Sequence, residues 1–292
     1  MPPRGVSDRR HVRAYRGGMS GPVRALVVAV LACAGLALGL PTAAASTGDD
    51  RSTVGYDVSH PQCGEDLPAD HAFGIVGVNG GLATRPNPCL AEQLAWAADA
   101  TGTVAGQPGL QLYVNTANPG EFIDVLHTWP LRGSTPYGRC DGENSTACSW
   151  QYGWLRAYVS VEAFFVPAAQ EAGVDADPAQ HRWWLDVETM NTWQYGSAAA
   201  RDRNRAALEG MTAYLTDRGA EVGLYSTGHQ WGLIAGDVPA TSPLHDLDSW
   251  LAGSTSLTGA QATCRRSPLT DGGEVVLTQY VADGLDHNHA CA

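Results

Sequence analysis

From Val54 onward, short runs rich in Val, Ile, Leu and aromatic residues alternate with stretches of helical periodicity, and this alternation most restricts the fold. The β-like runs cover 54–59 (VGYDVS), 72–79 (AFGIVGVN), 109–120, 181–189, 221–227, 248–254 and 274–281, with a short eighth at 283–291. Between them, residues 88–102 carry Leu90, Leu94, Ala97 and Ala98 at helical spacing and end on Gly102. Residues 153–174 and the Ser197-capped stretch 197–220 also read as helices, and 121–152 as a long loop. Strands alternating with helices imply βαβ units and a parallel sheet. Seven or eight strands in roughly 240 residues, with no GxGxxG after the first, predict a single (β/α)8 TIM-type barrel of the α/β class, over 54–292, with room for irregularity.

The residues before the barrel read as an export signal and a short tail. Six arginines precede an uninterrupted apolar run from Ala25 to Leu40, and Ala43-Ala44-Ala45 offers a small-residue cleavage site. Residues 1–45 are therefore expected to be removed, leaving 46–53 as a flexible tail. Val30-Leu31-Ala32-Cys33 resembles a lipoprotein processing box, but the apolar run continues past Cys33, so lipid anchoring is not expected. The expectation is a secreted monomer that no longer touches a membrane.

The leader holds six of the 18 Lys+Arg and one of the 30 Asp+Glu, which leaves the mature chain at −17. That charge argues against nucleic acid as a partner. Six cysteines remain, Cys63, Cys89, Cys140, Cys148, Cys264 and Cys291, with no CxxC pair. An even number in an exported chain favours disulfides over metal. Six cysteines allow 15 pairings; sequence order suggests Cys63–Cys89, Cys140–Cys148 and Cys264–Cys291.

The chemistry centres on "WWLDVET", 183–189. Side chains at i and i+2 of a strand share a face, so Asp186 and Glu188 point together while Val187 points away; Trp183 and Trp184 likewise part company. Inward residues at the C-terminal end of a barrel strand border the site that the βα loops build. Asp57 holds the matching place on strand one, and Asp286 lies near the end of the candidate strand eight. A DxE alone also describes any buried strand meeting solvent. Four acids on one rim describe glycoside hydrolysis, in which one carboxylic acid stays protonated to donate to the leaving oxygen while others stabilise positive charge. Crowded carboxyls favour this, because each disfavours ionisation of the next.

"GYDVSHPQCG" (55–64), "LDVE" (185–188), "GLYST" (223–227), "SWLAG" (249–253), "LTQYV" (277–281) and "LDHN" (285–288) stand in an order and spacing that resembles the glycoside hydrolase family 25 lysozymes. The resemblance implies a muramidase on a (β/α)8-like barrel, requiring no cofactor and no metal, and acting on cell-wall polysaccharide between N-acetylmuramic acid and N-acetylglucosamine. It implies catalytic roles for Asp57, Asp186, Glu188 and Asp286, with Glu188 as proton donor. Tyr225 and Gln279 match the family's fifth-strand Tyr and late Gln, and Asn115 and Asn288 join them as expected sugar-binding residues. Two departures stand out: Pro61 replaces an aromatic after the D-V-S-H, and the cysteines and the 121–152 loop are unusual. They motivate an alternative, a catalytically silent barrel that binds wall glycan or a protein partner.

Trp150 and Trp193 lie in or beside expected rim loops, where sugar rings stack on aromatic faces, although core packing is the commoner fate of Trp. His287 and His289 lack a third ligand at recognisable spacing, so no metal site is predicted.

Overall fold

The computed structural model describes residues 53–80, 83–102 and 104–291. The expected export signal and nearly all of the 46–53 tail lie outside them. Eight strands close into a barrel: β1 Gly55–Val58, β2 Phe73–Gly77, β3 Leu110–Asn115, β4 Arg182–Asp186, β5 Glu221–Ser226, β6 Asp248–Ser254, β7 Val275–Ala282 and β8 Leu285–Ala290. Their order around the wall is β1-β8-β7-β6-β5-β4-β3-β2. Around them lie α1 Leu90–Ala98, α2 Thr146–Tyr158, α3 Val166–Ala172, α4 Ala198–Asp217, α5 Gly228–Ile234 and α6 Leu257–Thr263.

The closed α/β barrel is as expected, but it is not wholly parallel. β1 to β7 run parallel, whereas β8 pairs antiparallel with both β7 and β1. The reason is local: only Asp283 and Gly284, both at positive φ (53° and 79°), separate β7 from β8. Two such residues make a hairpin, and a parallel return would need a dozen or more. No α-helix joins β1 to β2, only a short 3₁₀ turn at His60–Gln62.

The 121–152 loop is also shorter than expected. Gly133–Thr135 and Gly138–Cys140 form a ribbon, and α2 then begins at Thr146 because Ser145 caps it, its side chain accepting from the Cys148 N–H. Proximity of Ser145 and the Cys140–Cys148 disulfide masked a helix start in a stretch that reads as loop. Past Tyr158 the helix widens into a π-helical segment, Val159–Phe165, and continues as α3.

Bulky inner-wall rings are admitted by glycine. Phe73, Tyr113 and Trp184 lie directly across from Gly55, Gly77 and Gly223 on the adjoining strands. A Cβ on any of these glycines would come within 2.1 to 2.5 Å of the facing ring. Trp184, Phe73, Ile75, Trp250 and Leu277 fill the lower interior, and Trp184 donates to Gln111 Oε1 at 2.9 Å. Trp183 points outward as expected, edge-on to Phe165 in the layer between strands and helices. The three disulfides are Cys63–Cys89, Cys140–Cys148 and Cys264–Cys291.

Candidate functional site

Asp57, Asp186, Glu188 and Asp286 line one cavity of about 270 Å³ at the C-terminal rim of the parallel strands, together with Tyr113, Tyr225, Trp250 and Gln279. The alternation that places Asp186 and Glu188 on one side leaves Val187 in the outer layer. Backbone contacts fix this segment past the strand end: Val187 N–H donates to Tyr225 O at 2.9 Å, and Thr116 N–H to Asp186 O at 3.2 Å.

Asp286 reaches the rim by a route other than the one expected. It is the second residue of β8, near the strand's start and not its end, and it pairs with Asp57 across the β1–β8 ladder. Because β8 is reversed, its start lies beside the ends of the parallel strands. A parallel eighth strand would have carried the same residue to the opposite end of the barrel.

Asp57 is held from below. Gln279 Nε2 donates to both of its oxygens at 3.1 Å, and Asn288 Nδ2 donates to Oδ2 at 2.7 Å. Tyr225 donates its hydroxyl to Gln279 Oε1 at 2.8 Å, so the phenol sets the orientation of the amide that grips the carboxylate. Burial and the neighbouring Asp286 nevertheless push the Asp57 carboxyl up to about 8, against the pull of those donors. Burial, then Glu188 and Asp57, raise Asp186 well above the carboxylate range, and its Oδ1 has no hydrogen-bond partner. Glu188 is raised by burial and, more weakly, by Asp286, while a hydrogen bond from Gln230 lowers it. Asp286 is raised by burial as well. Asp57 and Asp186 are buried, whereas Glu188 and Asp286 are half-buried and reach solvent. All four carboxyls are shifted upward, so the site is biased to hold protons at depth as well as at the mouth.

Several expected sugar-binding residues stand elsewhere. Asn288 is fully buried and grips Asp57, with no surface left for a ligand. Asn115 lies beside Asp186 in the β3–β4 ladder, half-buried, with its Nδ2 donating to Asn79 O at 2.8 Å; it stands at the rim but is not among the cavity's lining residues. Trp193 is buried in the outer layer, where its Nε1 donates to Glu188 O at 3.0 Å; it supports the acid's backbone. Trp150 sits on α2 beside a separate cavity with Tyr137 and Glu209, away from the acids. Helix formation from Thr146 carried it off the rim. Tyr113 and Trp250 were missing from the expected set. Counting back by two from Asn115 finds Tyr113; Trp250 is the register partner of Tyr225. Among the described residues no His, Cys, Asp and Glu group has the arrangement of a metal site.

No protein-family profile matches the sequence, and no curated protein matches it. Two solved structures are similar to it. A muramidase from Trichobolus zukalii shares 18% identity at a TM-score of 0.46, over 82% of this chain and 94% of that one. A family GH25 lysozyme from Aspergillus fumigatus shares 14% identity at a TM-score of 0.49, over 81% of this chain and 92% of that one. The barrel itself stands on its own strand order and register.

Proposed function

We propose that the chain is a secreted glycosidase that cleaves peptidoglycan or a related polymer of N-acetylated amino sugars. The observation that carries this reading is the convergence of four carboxyl groups, from β1, β8 and the segment ending β4, on one cavity. Glu188 is the general acid: it reaches solvent at the mouth, and its raised pKa keeps the proton available for the glycosidic oxygen. Asp186 lies deeper, and its unpartnered Oδ1 is an acceptor suited to the N–H of an acetamido group. Asp57 and Asp286 face the positive charge that develops at the anomeric carbon. That charge favours their ionised forms, and the donors from Gln279 and Asn288 stabilise the Asp57 anion as it appears. Tyr225 and Gln279 hold that carboxylate in place, and Tyr113 and Trp250 shape the floor. Three disulfides and the expected leader support action outside the cytoplasm. Among the described residues no helix is long and apolar enough to cross a membrane.

The test is release of reducing ends from purified peptidoglycan and from chitin-type oligomers. Glu188→Gln is expected to lower turnover by about 10²- to 10⁴-fold, the usual range for a general acid, with wall binding retained. Equal rates for parent and variant would remove Glu188 from this role. Wall binding by a parent that releases no reducing ends would make the chain a glycan-binding barrel instead.

A further inference from the structure

Beyond the acid cavity, the segments that follow β3 and β4 run outward side by side. Thr116 N–H donates to Asp186 O at the rim, Asn118 N–H to Thr192 O at 2.8 Å farther out, and the Asn144 and Gln194 side-chain amides exchange bonds of 2.9 and 3.1 Å beyond that. Gly120 is packed so tightly here that a Cβ would meet Gln194 Nε2 at 2.6 Å and Trp129 at 2.9 Å. The Cys140–Cys148 disulfide closes the same loop, and Asn118 ties it to Ser149 of α2 at 3.1 Å. This projection is therefore cross-braced. It also presents large apolar side chains to water: Phe122 is 52% exposed, Val125 74%, Met190 91% and Tyr195 44%. They are four of the ten large hydrophobic side chains exposed among the described residues, and they fall together on two segments that the Asn118–Thr192 hydrogen bond joins.

We infer that this projection is a glycan platform, on which sugar rings outside the acid cavity stack against Phe122 and Tyr195 while Val125 and Met190 cover their apolar faces. The inference rests on the glycosidase reading and names the part of the polymer that the catalytic cavity leaves uncovered. At about 270 Å³ the cavity lies just under the roughly 300–1,000 Å³ usual for pockets that enclose one small ligand, so a polymer must continue past it. The platform begins at Asp186 itself, through Thr116, and Met190 follows Glu188 by two residues. On the other flank the β7–β8 connection is the two-residue turn at Asp283 and Gly284, which builds no wall. The projection is continuous with the acid cavity, and the occupant that continuity selects is the same glycan strand. Because the bracing holds the segments that carry these rings, the backbone needs little ordering on contact.

The experiment compares intact peptidoglycan with a soluble tetrasaccharide fragment of it, using the parent and a Phe122→Ala, Tyr195→Ala variant. The expected result is a loss of roughly tenfold in kcat/KM on the polymer, carried by KM, with tetrasaccharide kinetics within about twofold of the parent. Equal losses on both substrates, or no loss on either, would overturn the platform. So would a parent that dimerises through these residues, shown by sedimentation, with polymer kinetics unaffected by the substitutions. Co-pelleting with peptidoglycan separates this from the catalytic reading: in a Glu188→Gln background the two alanines should still release the protein from the wall. If the parent cuts nothing yet the alanines abolish co-pelleting, the glycosidase reading fails and the platform stands.

Discussion

Asp57 accepts three N–H contacts and still sits among three other carboxyls, and the outcome of that competition is measurable as stability against pH. Its ordinary pKa is 3.8 and its folded value is about 8, so the folded protein holds a proton that the unfolded chain releases. The stability linked to this proton is fully present below about pH 4 and is lost as pH rises toward 8. Asp186, Glu188 and Asp286 are shifted the same way and add to the trend. Denaturant unfolding should therefore show a less stable protein at pH 8 than at pH 5. Asp286→Asn removes the charge paired across from Asp57, so it should recover about 1 kcal/mol at pH 8 and little at pH 5. A gain of the same size at both pH values would show that Asp286 does not act through charge. Period-two alternation made Asp57, Asp186 and Glu188 legible in the sequence, since it needs only a strand and its end. Asp286 was legible as a residue but not as a position: its strand runs the other way, and only that reversal brings it to the rim. Trp150 and Trp193 were not legible, because an indole that stacks on sugar and one that packs in a helix interface have the same local sequence signal.

Elements meet around this barrel through backbone contact as well as side chains. Gly153 of α2 lies against Ala207 O of α4, where a Cβ would fall 1.8 Å from the carbonyl oxygen, and Gly210 of α4 lies against Trp150 O, where it would fall at 2.0 Å. The helices approach at two reciprocal points, and neither obstacle is a side chain able to swing aside. Gly153→Ala gains roughly 1 kcal/mol of helix propensity at an unconstrained site. Here it should instead destabilise by about 2 kcal/mol or more, since the helices must separate and the layer beneath them loses contact. Chemical denaturation of Gly153→Ala and Gly210→Ala, each expected to be less stable than the parent, checks this; a stabilised variant would mean that the helices have room. α1, the stretch from Gly153 into α3, and α4 were legible from apolar spacing and the Ser197 cap, whereas the seven-residue α5 and α6 are too short to show that spacing. The start of α2 was not, because its cap, Ser145, stands in a run of Gly, Ser and Cys that carries every mark of a loop. The β7–β8 hairpin was hidden for a related reason: Asp283-Gly284 is a turn signal, but alternation elsewhere favoured a parallel eighth strand.

Closure of the barrel depends on β8, the barrel strand that runs against its two neighbours. It seals the gap between β7 and β1, and it carries both Asp286 and the Asn288 that grips Asp57. Its two ladders, to β7 and to β1, are both antiparallel, so its loss would open the wall on both sides. The Cys264–Cys291 disulfide counters this by tying the residue that follows β8 to the residue that caps the end of α6, with a sequence separation of 27. In the chain-entropy treatment a loop of that size is stabilised by roughly 3.5 kcal/mol, against roughly 2.5 kcal/mol for the eight-residue separation of Cys140–Cys148. Loss of the first bridge should therefore cost more in unfolding free energy, and it should also cost function, since a frayed β8 withdraws Asp286 and uncouples Asn288 from Asp57. Paired serine substitutions separate the two effects. Cys264→Ser with Cys291→Ser should lower both stability and the rate on a soluble tetrasaccharide. Cys140→Ser with Cys148→Ser should lower stability by less and leave that rate near the parent's, because its loop stands outside the acid cavity. Equal activity in the two double variants at a temperature where both remain folded would show that the β7–β8 and β1–β8 ladders hold the strand without covalent help.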